Sequence, residues 1–344
     1  MEMIPILLSV IGVFTVLLFI LTLYLFLQKG RHATFQQNVK TYVKDNERKW
    51  YDILIQQKDV QIADIPKKKF EFVGLERIFL MYLKHYQVTS SSFRISQYAN
   101  NYMTNYYRDL LHEPRWSKKM NALHRVYDFR LVGLLQDCEK INYKELDADM
   151  QLQLFKIFAR MSPKRLLKIL LDEQWTLSEM DYRQIFMSVE DDTFKQLTVR
   201  FEELPLQGKT ALIETLHTQQ KFEYIDWLTN NLQHPVSEVR IRTLKALYQM
   251  KYVESIQLFE PFTHSDIWEE RMMTAKLMRY FPIEQAHPFL EKLLEDSHYT
   301  VRLEASQSFA NIKDGENWLQ LFLNTSTDQY AIEMVKATLE QKKV

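Results

Sequence analysis

Three stretches of this chain lie over one another: HPVSEVRIRTLKALYQM at 234–250, SDIWEERMMTAKLMRYF at 265–281 and DSHYTVRLEASQSFANI at 296–312. An arginine stands seventh in each, so Arg240, Arg271 and Arg302 follow one another at 31-residue intervals. The next residue is apolar (Ile241, Met272, Leu303). Small residues come three and four further on: Thr243, then Thr274 with Ala275, then Ala305 with Ser306. An apolar residue follows again at Leu247, Met278 and Phe309. Each stretch opens on a polar turn residue: His234, Ser265, Asp296. A fixed period of this length marks stacked supersecondary units. Apolar residues at helical spacing make each unit a pair of helices. The expected pairs are 224–232 with 235–250, 253–262 with 267–281, 283–295 with 300–311, and 315–323 with 327–339. No such helix can bury its apolar face alone, so its neighbours must supply the core.

Val239-Arg240 and Val301-Arg302, each after a polar turn and before a helix rich in small residues, resemble HEAT repeats. The resemblance covers about a third of the chain. It implies an all-α solenoid that binds a protein partner. It also implies a ladder of hydrogen bonds between turn aspartates and the repeated arginines. Asp296 is the one aspartate at the matching turn position, and Glu270-Arg271 replaces the valine-arginine pair of the other two units. By these departures the ladder is expected to be incomplete. The resemblance places the second helix of each pair on the concave face. The partner-binding residues would then include Glu238, Arg242 and Lys245, Glu269, Glu270 and Lys276, and Glu304 and Gln307.

Working outward, paired helical patterns run back to Trp116, so residues 116–344 are expected to form one drifting set of repeats behind a helical region at 29–115. Gly208-Lys209-Thr210 imitates a phosphate-binding loop, but the required upstream glycine is missing and no strand precedes it. There are six glycines in all, no two close together, which removes nucleotide-cradling loops and suits helices. One cysteine, Cys138, leaves no disulfide framework and no cysteine-based metal site. Residues 1–130 hold 19 Lys+Arg against 11 Asp+Glu, a net of +8, so with 44 of each overall the remainder carries −8. An acidic rear half favours a partner with basic patches and disfavours nucleic acid.

Residues 4–27 are 24 consecutive uncharged positions rich in Leu, Ile, Val and Phe. About 20 such residues cross a bilayer as a helix. The start is Met1-Glu2 and no small-residue cleavage site follows, so the pattern is an anchor, not a cleaved signal. Lys29, Arg31, Lys40, Lys44, Arg48 and Lys49 follow the span, against Glu2 before it. The positive-inside rule then places the amino terminus outside the cell membrane and the body in the cytoplasm. Residues 34–56 form a second, amphipathic helix with Phe35, Val39, Tyr42, Val43, Trp50, Ile53 and Leu54 near one face. That face either lies on anionic headgroups or packs on the domain behind it. Tyr98, Tyr102 and Tyr106 share a helix face four residues apart, a spacing that suits core packing.

No constellation for catalysis is present. The nine histidines are scattered, and Asp147-Ala148-Asp149 and Glu190-Asp191-Asp192 fit acid-rich helix starts. No cofactor, metal or nucleic-acid partner is expected. The expected role is a membrane-anchored scaffold with a membrane-associated protein partner. The alternative is an accessory subunit of a membrane enzyme or transporter, joined partly through the anchor.

Overall fold

The computed structural model describes residues 3–85, 89–171, 177–251 and 254–342, and for residues 3–10, 89 and 143 the backbone alone. All regular structure among the described residues is helical. The chain forms two compact units, Met1–Ile157 and Phe158–Val344. The start expected for the repeat region, Trp116, lies inside the first of them.

The first unit contains α1 (Met3–Leu54), α2 (Lys69–His85), α3 (Thr89–Tyr102), α4 (Thr104–Leu111), α5 (Trp116–Asp128) and α6 (Leu135–Lys140), and most of α7 (Ala148–Met161). The anchor and the amphipathic helix prove to be one helix of 52 residues. At about 1.5 Å per residue it is roughly 78 Å long. The stretch joining the two expected helices contains no proline, and its single glycine, Gly30, costs only about 1 kcal/mol in a helix interior, so nothing stops the helix there. Its two ends live in different surroundings. Large apolar side chains between Ile11 and Leu27 are 49–73% exposed, because nothing among the described residues covers them. Among the described residues this is the one helix long and apolar enough to cross a membrane.

Further along α1, Val39, Trp50, Ile53 and Leu54 are at most 4% exposed. They pack on α2 and α3, which settles the choice left open by the sequence: the amphipathic face belongs to the core. The Trp50 ring stands edge-on to Phe79 at 5.0 Å and to Tyr98 at 4.8 Å. Such pairs contribute about 0.5–1.5 kcal/mol beyond their burial. Tyr98 also donates its hydroxyl to the Asp64 carbonyl at 2.7 Å. The tyrosine stripe is split, because α3 stops at Tyr102 and Tyr106 rides on α4, stacked on Phe72 at 4.2 Å.

Gly74 sets how closely α2 approaches α1. A Cβ at this position would sit 2.5 Å from Tyr42 Cδ1. Gly74→Ala should therefore cost about 1–3 kcal/mol, the usual penalty for overpacking. A thermal melt of the full chain checks this; an unchanged Tm would show that the Tyr42 ring swings aside freely.

The second unit contains α8 (Pro163–Leu170), α9 (Glu179–Phe186), α10 (Asp191–Val199), α11 (Leu206–Thr218), α12 (Ile225–Asn230), α13 (Ser237–Met250), α14 (Trp268–Met278), α15 (Ile283–Leu294), α16 (Tyr299–Asn311), α17 (Gly315–Thr325) and α18 (Gln329–Gln341). Helices α9, α11, α13, α14, α16 and α18 pack in succession, each on the next. The small residues explain the close approach. Thr243, Thr274 and Ala305 are fully buried, and both threonines return their hydroxyls to carbonyls four residues back at 2.8 Å. Between α16 and α18, Ser306 donates to Thr338 at 2.8 Å.

One expected helix is absent in its regular form. In place of a helix at 253–262 there are two short 3-10 turns, Ile256–Leu258 and Glu260–His264; Val253 itself lies outside the described residues. Pro261 accounts for the break, since proline lacks the backbone N–H and crowds the preceding turn. Helix α15, which opens the next pair, is intact and packs on α16.

Candidate functional site

The repeated arginines perform one task three times. Arg240 donates to the His234 carbonyl at 2.9 Å, Arg271 to the Ser265 carbonyl at 2.6 Å and Arg302 to the Asp296 carbonyl at 2.7 Å. Each thus ties the start of its helix to the turn six residues earlier. The turn residues are equivalent too, though chemically different. His234 Nδ1, Ser265 Oγ and Asp296 Oδ1 each accept the N–H two residues on, at 3.0, 3.1 and 2.8 Å.

The second edge of each guanidinium reaches the next unit. Arg271 makes a two-point contact with Asp296, Nε at 2.5 Å and Nη2 at 3.0 Å. That hydrogen bond raises the Arg271 pKa further. Arg240 Nε donates to Glu270 Oε1 at 2.7 Å, while the other Glu270 oxygen accepts from Ser265 Oγ at 2.6 Å. The ladder expected to be incomplete therefore continues through the middle unit. Ser265 stands where the aspartate is missing, and Glu270, where the valine is missing, delivers the carboxylate from one helical turn away. Glu270 is 2% exposed, so it belongs to this joint and is not a residue of the outer binding face.

Among the described residues Arg302 has no acid at the corresponding place. Its guanidinium lies over the Tyr330 ring at 5.5 Å, and its second carbonyl contact, to Ser297, is at 3.1 Å. Arg302→Ala should cost about 1–2 kcal/mol through the two freed carbonyls and the lost ring contact. A melting temperature equal to wild type would remove Arg302 from the set of joints.

The sequence reading missed the rung before these three. Lys209 lies 31 residues ahead of Arg240 and forms an ion pair with Glu202, which also stands 3.3 Å from His234 Nε2. The same 31-residue step, carried one unit further back, would have found it.

The residues expected on the partner-binding row are placed together on the second helices, but largely engaged with one another. Arg242 contacts Glu238 at 2.8 Å, Glu214 at 3.1 Å and Glu179 at 3.3 Å. Lys245 lies 3.7 Å from Glu214, and Lys276 pairs with Glu304 at 3.0 Å. Arg279 joins Glu304 at 3.6 Å, Tyr248 at 3.2 Å and Ser308 at 3.3 Å. Glu269 on α14 and Gln307 on α16 are half-buried. The row is thus a charged seam running from α9 to α16, with Glu214 as its hub.

Burial pushes the Glu214 carboxyl up, but Lys245, Arg183, Arg242 and His217 outweigh it and hold the pKa below its ordinary 4.5. A depressed carboxylate contributes stability that is present above its unfolded value and lost as pH falls through the folded one. The Tm gap between wild type and Glu214→Gln should hold from pH 7 to about 5 and then close on further acidification. A gap independent of pH would show that the ionised carboxylate is not what matters.

Among the described residues no group of histidine, cysteine, aspartate and glutamate could hold a metal ion. Burial pushes the Cys138 thiol up to about 12, far from a reactive thiolate. No protein family and no curated protein matches this sequence. Among solved structures, two engineered proteins from the Northeast Structural Genomics Consortium resemble it. One is 14% identical, with 89% of this chain covering 99% of that one at a TM-score of 0.36. The other is 15% identical, with 77% covering 95% at a TM-score of 0.28. At such scores neither bears on the fold or the function.

Proposed function

We propose that this chain is a single-pass scaffold of the cell membrane. Residues 4–27 cross the bilayer with the amino terminus outside. The cytoplasmic body ends in a HEAT-like α-solenoid that captures a membrane-associated protein partner. The observation that carries this reading is the division of α1. Its first part is apolar and uncovered, while its second part supplies Val39, Trp50, Ile53 and Leu54 to a packed core. An uncovered apolar helix in water is unfavourable by about 25 cal/mol per Å², so such a helix calls for lipid. Continuity of α1 then attaches the body to the bilayer without a flexible linker. The 31-residue joints and the succession of α9, α11, α13, α14, α16 and α18 support the solenoid, since stacked helix pairs build long binding surfaces. Binding, not catalysis, is the work such a surface does.

The test is capture of partners from detergent-solubilised membranes by the full chain and by a chain whose residues 4–27 are replaced with an unrelated span. Equal recovery of the same partner by both supports the scaffold. Loss with the exchanged span supports an accessory subunit that associates through its anchor. Recovery of no partner by either contradicts both.

A further inference from the structure

A cleft of about 670 Å³ opens in the second unit between the segment that replaces the missing helix and the start of α15. Ile256 and Phe281, 5% and 7% exposed, form its apolar base. The rings of Tyr280 and Phe289 line its wall. Its charged lining residues are both carboxylates, Glu254 and Glu260, and both are exposed. Neither forms an ion pair among the described residues. The nearest cation in sequence on the α15 side, Arg279, is committed to Glu304, Tyr248 and Ser308. This contrasts with the seam on the second helices, where most carboxylates already have a cation.

Aromatic faces attract a cation through their negative π-surface, and carboxylates at the rim select positive charge. A long basic side chain has an apolar stem for the base and a charged head for the rim. We propose that this cleft receives an arginine or lysine side chain from an extended basic segment of a protein partner. The proposal deepens the scaffold reading and rests on it. The cleft lies beside the 3-10 turns that stand in place of the expected helix. The acidic balance of the rear half, −8 for residues 131–344, draws the same partner by long-range attraction.

The probe is a fluorescein-labelled nona-arginine peptide, titrated onto the full chain in non-ionic detergent at about 150 mM salt, where distant surface charges are screened beyond about 8 Å. Glu254→Gln with Glu260→Gln should weaken binding about tenfold or more, and Phe289→Ala several-fold. Glu333→Gln with Glu340→Gln removes the same charge from exposed positions on α18 and should change it less than about twofold. Equal losses in the two glutamate pairs, no loss in the cleft pair, or no binding to wild type would each overturn the proposal. Partner capture through the span-exchange experiment is read independently. A cleft that fails with capture intact disproves this site alone.

Discussion

Replacing Glu270 with valine should cost about 3 kcal/mol, and adding Ser265→Asp to the same chain should return most of the loss. The single change takes away the carboxylate shared by the Arg240 Nε and the Ser265 hydroxyl, which is itself 2% exposed. Removing the buried partner of an ion pair is more damaging than its net contribution, because the other charge stays behind, here on a half-buried Arg240. The double change rebuilds the neighbouring rung. There, Asp296 accepts the His298 N–H and both nitrogens of Arg271, and Val301 occupies the position of Glu270. For a unit of this size 3 kcal/mol corresponds to a Tm shift of about 6–12 °C. Thermal melts of the three chains decide it. If the double variant melts as low as Glu270→Val, the two departures do not compensate for one another.

Gly315→Ala should be at least as damaging, by about 3–4 kcal/mol or more. A Cβ on this residue would lie 1.9 Å from the Phe309 carbonyl oxygen and 2.9 Å from its carbon. Those are backbone atoms of α16, so no side-chain rotation relieves the clash, in contrast to the Tyr42 ring beside Gly74. The connection is already tightly bent: Asp314, the preceding residue, has φ of 63°. Alanine would force α17 away from α16 and uncover Leu319 and Phe322, which are at most 5% exposed. Circular-dichroism melting of the full chain reads the effect; a Tm within a degree or two of wild type would refute it.

The repeat was legible because it rests on spacing. Helices α13, α14 and α16 begin and end within about three residues of their expected limits, since the apolar period and the small midpoint residues act locally. The helix at 253–262 was not, because a proline signal competed with an apolar pattern of the right length. The ladder is incomplete at Arg302, as its missing aspartate implied, but its rung at Arg240 was not legible for a different reason. Ser265 and Glu270 each break the repeat when taken singly, and only their position in space shows that one supplies what the other lacks. The row of charged residues on the second helices was legible as a face. Its internal pairing was not, because the hub, Glu214, belongs to the unit one 31-residue step before the three quoted stretches, where a lysine stands in place of the arginine. At the front of the chain, charge and hydropathy separate residues 4–27 from the rest, yet only packing shows that Trp50 and Val39 are core.

The central claim, that α1 anchors the chain with its body in the cytoplasm, is tested most directly by protease protection. Intact cells carrying the full chain with a tag after Val344 would be treated with an external protease, then compared with permeabilised cells. The account predicts an undiminished tagged chain in intact cells, its recovery in carbonate-washed membranes, and complete digestion after permeabilisation. Cleavage of the body in intact cells, or release of the chain into the wash, would contradict it.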